Sequence, residues 1–96
     1  MTDIQNLRMK ITPIAARHGV KRVSLFGSRA RGDDRIDSDY DFVVSKGAVD
    51  SIFRYVAFVD DLEESLGAHV DVITDTSEDE DFLREIKKDE VLLYES

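Results

Sequence analysis

The spacing of hydrophobic residues changes several times along the chain, and each spacing predicts one type of element. Apolar residues three and four apart predict a helix over residues 3–18, which Gly19 closes. A short apolar run with glycines nearby predicts a strand over residues 22–26, and a single helical turn is predicted over residues 28–31. A second strand is predicted over residues 40–44, so the first half of the chain alternates helices with short strands.

The second half continues the alternation. Residues 50–66 repeat apolar side chains at helical spacing and end at Gly67, and we interpret the stripe of this helix as core: Ile52, Phe53, Val56, Val59, Leu62 and Leu66. Residues 69–74 are rich in β-branched side chains, which predicts a third strand. The remaining elements are an acidic loop, a short helix and a strand, over residues 75–80, 81–88 and 91–94.

This order of elements predicts the fold class. We expect an α/β (α+β) domain that spans residues 1–96, with a small mixed β-sheet and helices packed mainly on one face. Pro13 leaves two alternatives for the first helix. It would either kink the helix, or let Thr12-Pro13 restart it as a cap and first-turn pair.

Composition excludes several classes of chemistry. The 96 residues include no cysteine, which excludes disulfides, thiolate metal sites and a cysteine nucleophile. No apolar run has the length of a signal peptide or a membrane span, so we expect a soluble, cytoplasmic protein. The chain has 21 acidic and 13 basic residues, a net charge of −8. Such acidity disfavours stable binding to nucleic acid and suits divalent cations or a basic protein partner.

Three aspartates are the candidate metal ligands and catalytic residues. Asp39 and Asp41 are two residues apart, so they would project from the same side of a strand. Asp71 lies between two valines in the third predicted strand, where a buried and unpaired charge would be costly. Placing Asp71 beside the other two, around a cation, removes that cost. Three carboxylates with two magnesium ions form the clamp that serves in-line displacement at phosphorus.

A Gly-Ser pair precedes the aspartates and predicts a phosphate site. Gly27 allows close backbone approach, and Ser28 starts a helical turn whose amides and hydroxyl can face an anion. Arg29 and Arg31 lie within reach of the same phosphates. Asp71 is then the candidate to help deprotonate an acceptor hydroxyl.

The two histidines have no evident catalytic partner in the sequence. We interpret His18 as a helix C-terminal residue that interacts favourably with the helix dipole. His69 is interpreted as a surface residue at the start of a strand.

Residues 25–32 read Leu-Phe-Gly-Ser-Arg-Ala-Arg-Gly, residues 38–42 read Ser-Asp-Tyr-Asp-Phe, and Asp71 follows in a later predicted strand. Together these motifs resemble the polymerase-beta-type nucleotidyltransferase superfamily. It is similar to the smallest members of that superfamily, the minimal nucleotidyltransferases (MNT proteins). Tyr40 is a departure, because the family usually carries a smaller aliphatic residue there. This departure should not disturb metal binding.

The resemblance implies a function for each motif residue. Gly27 and Ser28 would hold the triphosphate of ATP, Asp39 and Asp41 would bind two Mg²⁺ or Mn²⁺ ions, and Asp71 would complete the triad. Minimal members typically work with a separately encoded helical HEPN protein, an RNase toxin, in a hetero-oligomer. The MNT antitoxin transfers AMP from ATP to a tyrosine near the active site of that toxin.

Two alternatives remain open on the sequence alone. The chain could be the catalytic subunit of a small-molecule nucleotidyltransferase that a helical partner completes. It could also be a non-catalytic antitoxin that only covers the basic surface of its partner. The intact set of aspartates argues against the second alternative, because three clustered carboxylates destabilise a site that binds no metal.

Overall fold

The computed structural model describes residues 2–45, 51–74 and 80–96. Within these ranges the helices are α1 (Ile4–His18), α2 (Ser28–Arg31), α3 (Ile52–Leu66) and α4 (Glu80–Asp89). The strands are β1 (Arg22–Phe26), β2 (Tyr40–Val44), β3 (Val70–Thr74) and β4 (Val91–Glu95). The predicted order and type of the elements are confirmed. The predicted acidic loop lies outside the described residues, apart from residue 80, which begins α4.

Local capping fixes the limits of α1. The Asp3 side chain accepts a hydrogen bond from the Asn6 N–H at 3.1 Å, and Gly19 ends the helix with φ +70°. The helix is continuous through Pro13, so it does not restart at Thr12. The Thr12 hydroxyl instead donates to the Arg8 carbonyl at 2.8 Å. None of the helices in the described ranges is long and apolar enough to cross a bilayer.

The sheet is mixed, in the order β3-β2-β1-β4. Strand β1 is antiparallel to both β2 and β4, whereas β2 is parallel to β3. The parallel pair requires a crossover, which α3 provides. In this strand order β3 lies at an edge of the sheet and β2 lies inside it.

One face of the sheet forms the hydrophobic core with α1 and α3. The buried apolar residues come from both helices, from the four strands and from the connection between α1 and β1: Leu7, Ile11, Ile14, Ala15, Val20, Val23, Leu25, Phe42, Val44, Phe58, Leu62, Val70, Val72 and Leu93. Alternate residues of β1, β2 and β3 contribute to it, as the two-residue period of a strand requires. The prediction of helices mainly on one face is confirmed.

The predicted core stripe of α3 is wrong at its N-terminal end. Ile52, Phe53 and Val56 are exposed by 72%, 84% and 48%, whereas Phe58 and Leu62 are fully buried. The helix contacts the sheet from Tyr55 onward, where the Tyr55 hydroxyl donates to the Val72 carbonyl at 3.1 Å. Apolar residues of the first turn therefore stay outside the core, although they share its helical period.

Candidate active site

The register of β2 and β3 brings the predicted metal ligands together. Asp41 lies directly across from Asp71 in this parallel pair, and Tyr40 lies across from Val70. The Tyr40 N–H donates to the His69 carbonyl at 3.0 Å, so Asp39 and His69 are the next neighbours toward the start of both strands. Four polar side chains thus meet where the two strands begin: Asp39, Asp41, His69 and Asp71.

Asp39, His69 and Asp71 form a cluster of exposed ligand atoms. Each contributes one atom to a group in which all the atoms lie within 4.8 Å of one another. Burial of Asp71 is not what requires a partner for its charge, because β3 is an edge strand and the Asp71 side chain is 56% exposed. The register with β2, rather than burial, places this carboxylate at the site.

Asp41 is the more buried aspartate, and its carboxylate lies against Gly27. A Cβ built on Gly27 would be 2.5 Å from Asp41 Oδ2, and Gly27 has φ +77°, a conformation that L side chains rarely adopt. Burial raises the pKa of Asp41, and the negative charges of Asp71 and Asp39 raise it further. Position 27 therefore requires glycine, because its φ is positive and because a Cβ would clash with the Asp41 carboxylate.

The turn after Gly27 places Ser28 at the same end of the sheet. The Gly27 carbonyl accepts hydrogen bonds from the Ala30 and Arg31 N–H groups, both at 3.1 Å, which closes the single turn of α2. Gly32 ends this turn with φ +82°. Ser28, half-buried, is the first residue of α2 and follows directly on the glycine that contacts Asp41.

Arg29 does not have the exposed position that a phosphate contact would favour. Its side chain is buried, and its Nε and Nη2 donate to the Ser38 carbonyl at 3.1 and 2.5 Å. Its Nη1 donates to the Thr2 hydroxyl at 3.0 Å and to Asp34 at 3.3 Å. The Arg29 Cζ also lies 3.9 Å from the centroid of the Tyr40 ring. These contacts favour a structural role, in which Arg29 attaches α2 to the loop that leads into Asp39.

Arg31 is placed differently. Its side chain is 46% exposed and pairs with Asp33 at 3.2 Å and with Asp89 of α4 at 3.6 Å. Together with Gly27 and Phe82 it lines a pocket of about 260 Å³ beside the turn. Its positive charge opposes the rise in the pKa of Asp41. Of the two arginines predicted to contact phosphate, Arg31 is the one with an accessible side chain.

His69 is the residue that sequence reasoning missed. Its Nε2 lies 3.2 Å from Asp71 Oδ1, and its Nδ1 lies 3.2 Å from Glu63 Oε2. Slight burial opposes protonation, but the charges of Asp71, Asp39 and Glu63 outweigh it and raise the pKa of His69. The signal was present in the sequence: His69 and Asp71 have the same two-residue spacing that predicted the pairing of Asp39 with Asp41.

Comparison with known proteins agrees with this geometry. The family model for polymerase beta nucleotidyltransferases matches residues 9–96. A protein of Methanocaldococcus jannaschii that is named as a candidate protein adenylyltransferase is 44% identical over 72 residues, which are 75% of this chain and 77% of that protein. The chain therefore belongs to the polymerase beta nucleotidyltransferase family.

Solved structures share the fold. A candidate minimal nucleotidyltransferase is 29% identical and superimposes with a TM-score of 0.77, over 94% of this chain and 95% of that one. A chain from the complex of a tri-AMPylated HEPN toxin of Shewanella oneidensis with its MNT antitoxin is 17% identical and has a TM-score of 0.73. That comparison covers 98% of this chain and 74% of the other, and it shows a common fold.

Proposed function

We propose that this chain is a metal-dependent protein adenylyltransferase that transfers AMP from ATP to a hydroxyl group of a HEPN-type RNase toxin, and so acts as its antitoxin. The observation that carries the proposal is the position of Asp41, whose carboxylate contacts Gly27 and lies in register with Asp71. This contact joins the phosphate-binding turn to the acidic site. A nucleotidyl transfer needs both of these at one place.

The acidic side chains suit divalent cations. Asp39, Asp41 and Asp71 supply hard oxygen ligands on adjacent strands, and burial together with their mutual repulsion raises the pKa of Asp41. A cation relieves this repulsion, so the residues present fit the Mg²⁺ or Mn²⁺ that the family implies. We assign all three aspartates as ligands of two such ions. When bound, these ions would neutralise charge on the triphosphate and lower the pKa of the attacking hydroxyl.

The turn supplies the phosphate contacts. Gly27 lets the backbone approach the β- and γ-phosphates, and the Ser28 hydroxyl adds a hydrogen-bond donor. The accessible Arg31 guanidinium adds a positive charge beside the same turn. These groups hold the pyrophosphate portion of ATP, which becomes the leaving group.

The reaction is a displacement at the α-phosphorus of ATP. The oxygen of the acceptor hydroxyl forms a bond to that phosphorus, while the bond to the oxygen bridging the α- and β-phosphates breaks and pyrophosphate departs. The hydroxyl proton passes to the carboxylate of Asp71, which is exposed at the sheet edge and accessible to a macromolecular acceptor. The acceptor then carries AMP through a phosphodiester bond.

The acceptor is assigned from the relatives and from charge. The similar protein of M. jannaschii is named for protein adenylylation, and the structurally similar Shewanella chain comes from a complex with an AMPylated HEPN toxin. A net charge of −8 favours a partner with a basic surface, as an RNase presents to RNA. We therefore propose a tyrosine of such a toxin as the acceptor and a hetero-oligomer as the working complex.

The decisive experiment separates covalent modification from sequestration. A purified HEPN-type RNase toxin, the partner proposed here, is incubated with ATP, Mg²⁺ and a substoichiometric amount of this protein, then separated under denaturing conditions and refolded. We expect its intact mass to rise by one or more AMP units, and its RNase activity to remain lost. The Asp41→Asn variant should leave both mass and RNase activity unchanged.

Other outcomes identify the alternatives. Inhibition that needs one copy of this protein per toxin, and that disappears on separation, would make the chain a binding antitoxin. Consumption of ATP with a small hydroxylated acceptor, without any change in the mass of the HEPN protein, would instead identify the catalytic subunit of a small-molecule transferase.

A further inference from the structure

The surroundings of His69 are unusual for a surface histidine, because both ring nitrogens face carboxylates. Nε2 lies 3.2 Å from Asp71 Oδ1 and Nδ1 lies 3.2 Å from Glu63 Oε2. A neutral imidazole has one N–H donor and one lone pair, so it can donate to only one of these carboxylates. The other nitrogen then faces a carboxylate oxygen, and either a second proton on the ring or a bound cation satisfies that pair.

Glu63 offers a fixed acceptor on the Nδ1 side of the ring. Its Oε2 also accepts a hydrogen bond from the Val70 N–H at 3.1 Å, which holds the carboxylate against the start of β3. In the structure the hydrogen bond of the ring joins Nε2 to Asp71 Oδ1, so a metal ion would replace the proton on Nε2, and Nδ1–H would then face Glu63. Metal-binding histidines commonly have this arrangement, in which a carboxylate accepts from the second nitrogen and orients the ring.

We propose that His69 is a metal ligand, and that its Nε2 together with Asp39 and Asp71 binds a divalent first-row transition ion, Mn²⁺ or Zn²⁺, more tightly than Mg²⁺. The ligand atoms of these three residues lie within 4.8 Å of one another, close enough for one ion to reach all of them. Imidazole suits first-row transition metals, whereas Mg²⁺ prefers oxygen ligands alone. The mixed nitrogen and oxygen set therefore changes the metal preference of this edge of the site.

Asp41 has a separate role in this arrangement. Its carboxylate lies against Gly27 and is not one of the atoms in the cluster around His69. The site thus has an oxygen-only side at Asp39 and Asp41, next to the phosphate turn, and a mixed side at His69 and Asp71 on the edge strand. The inference rests on the proposed function only in that Asp39 and Asp71 are shared with the transfer site.

The chain offers a matched control in its other histidine. The Nε2 of His18 lies 2.6 Å from Asp61 Oδ2, so it also faces a carboxylate, but at the contact between α1 and α3. His69→Asn and His18→Asn are therefore compared, both as the metal-free 96-residue protein without ATP or toxin. Calorimetric titration measures Mn²⁺ and Mg²⁺ affinities of each.

We expect His69→Asn to weaken Mn²⁺ binding by about tenfold or more, with Mg²⁺ affinity changed by less than about twofold, because only the transition ion uses the imidazole. His18→Asn should change neither. In the parent protein, Zn²⁺ should shift the ¹⁵N resonance of His69 Nε2 and leave the imidazole signals of His18 in place. With only two histidines in the chain, these signals are readily assigned.

Equal Mn²⁺ affinities in the parent and His69→Asn, or unchanged His69 signals at saturating Zn²⁺, would overturn the inference. Neither result would affect the proposed transferase, because AMP transfer with Mg²⁺ is measured separately. Conversely, a His69-dependent Mn²⁺ site in a protein that transfers no AMP would support the metal site and refute the proposed function.

Discussion

Gly27 and Asp41 lie so close together that a Cβ on the glycine would be 2.5 Å from the carboxylate oxygen Oδ2. Gly27→Ala should therefore displace Asp41 and lower AMP transfer by about a hundredfold, on the scale of a lost electrostatic contact in a transition state. Gly27 has φ +77° and ψ −157°, a region that is essentially restricted to glycine, so strain should also reduce the free energy of unfolding by about 1–3 kcal/mol. Transfer rates and urea denaturation measure the two effects.

Gly67 provides the control for that substitution. It has φ +63°, but a Cβ there would meet nothing within 4 Å. Gly67 is in the left-handed helical conformation, so Gly67→Ala should cost about 1–2 kcal/mol of stability through backbone strain at the end of α3, and leave transfer nearly unchanged. An equal loss of activity in both variants would mean that backbone strain alone, without the contact to Asp41, explains the effect.

Ser28→Ala tests the phosphate turn apart from folding. Loss of one hydrogen-bond donor to the developing charge should lower kcat by about tenfold or more. The free energy of unfolding should change by less than about 1 kcal/mol, because a half-buried turn serine adds little to packing. Normal transfer by this variant would remove the hydroxyl from the mechanism.

The two arginines should respond in opposite ways. Arg29→Met should lower the free energy of unfolding by about 2–3 kcal/mol, because its buried guanidinium donates to Ser38, Thr2 and Asp34. Arg31→Met should change stability by less than about 0.5 kcal/mol, as expected for a surface position, but raise the KM for ATP. Thermal denaturation and steady-state kinetics distinguish these outcomes. A loss of stability in Arg31→Met, together with a raised KM for ATP in Arg29→Met, would instead identify Arg29 as the phosphate ligand.

Asp41→Asn should stabilise the metal-free protein near neutral pH. Burial and the charges of Asp71 and Asp39 raise the pKa of Asp41 in the folded state, so the folded state holds this proton more strongly than the unfolded state does. Stability is therefore lost as pH rises from about 4, the ordinary aspartate value, through the raised pKa. The gain in Tm of the variant in EDTA should be largest at neutral pH and shrink toward pH values below about 4.

Saturating Mg²⁺ should make the parent protein more stable than the Asp41→Asn variant. The parent gains stability by binding the ion, and the variant, with one ligand removed, gains less. Equal Mg²⁺-dependent shifts in Tm for the two proteins would show that Asp41 does not bind metal.

Much of this protein was predictable because its signals are local. Helix caps and apolar spacing depend on neighbouring residues, so α1, β1, α2 and β2 were predicted with bounds within one residue of those observed. The family string at residues 25–42 also lies within one short segment. Its glycine, serine and aspartates could therefore be identified without any knowledge of strand pairing.

Positions that depend on strand pairing or on helix orientation could not be predicted in the same way. That β3 lies at the edge of the sheet, which exposes Asp71, follows from the strand order. That Ile52 and Phe53 stay outside the core follows from where α3 first meets the sheet. Both depend on contacts between residues far apart in the chain.

The sequence by itself determined the elements, the Gly-Ser turn and the aspartate pair, because periodicity and turn chemistry are properties of neighbouring residues. The tertiary structure alone decided that Arg29 is buried under Tyr40 and that His69 lies beside Asp39. The physical reason is the parallel register of β2 with β3, which joins segments about thirty residues apart and is set by packing of their common core face.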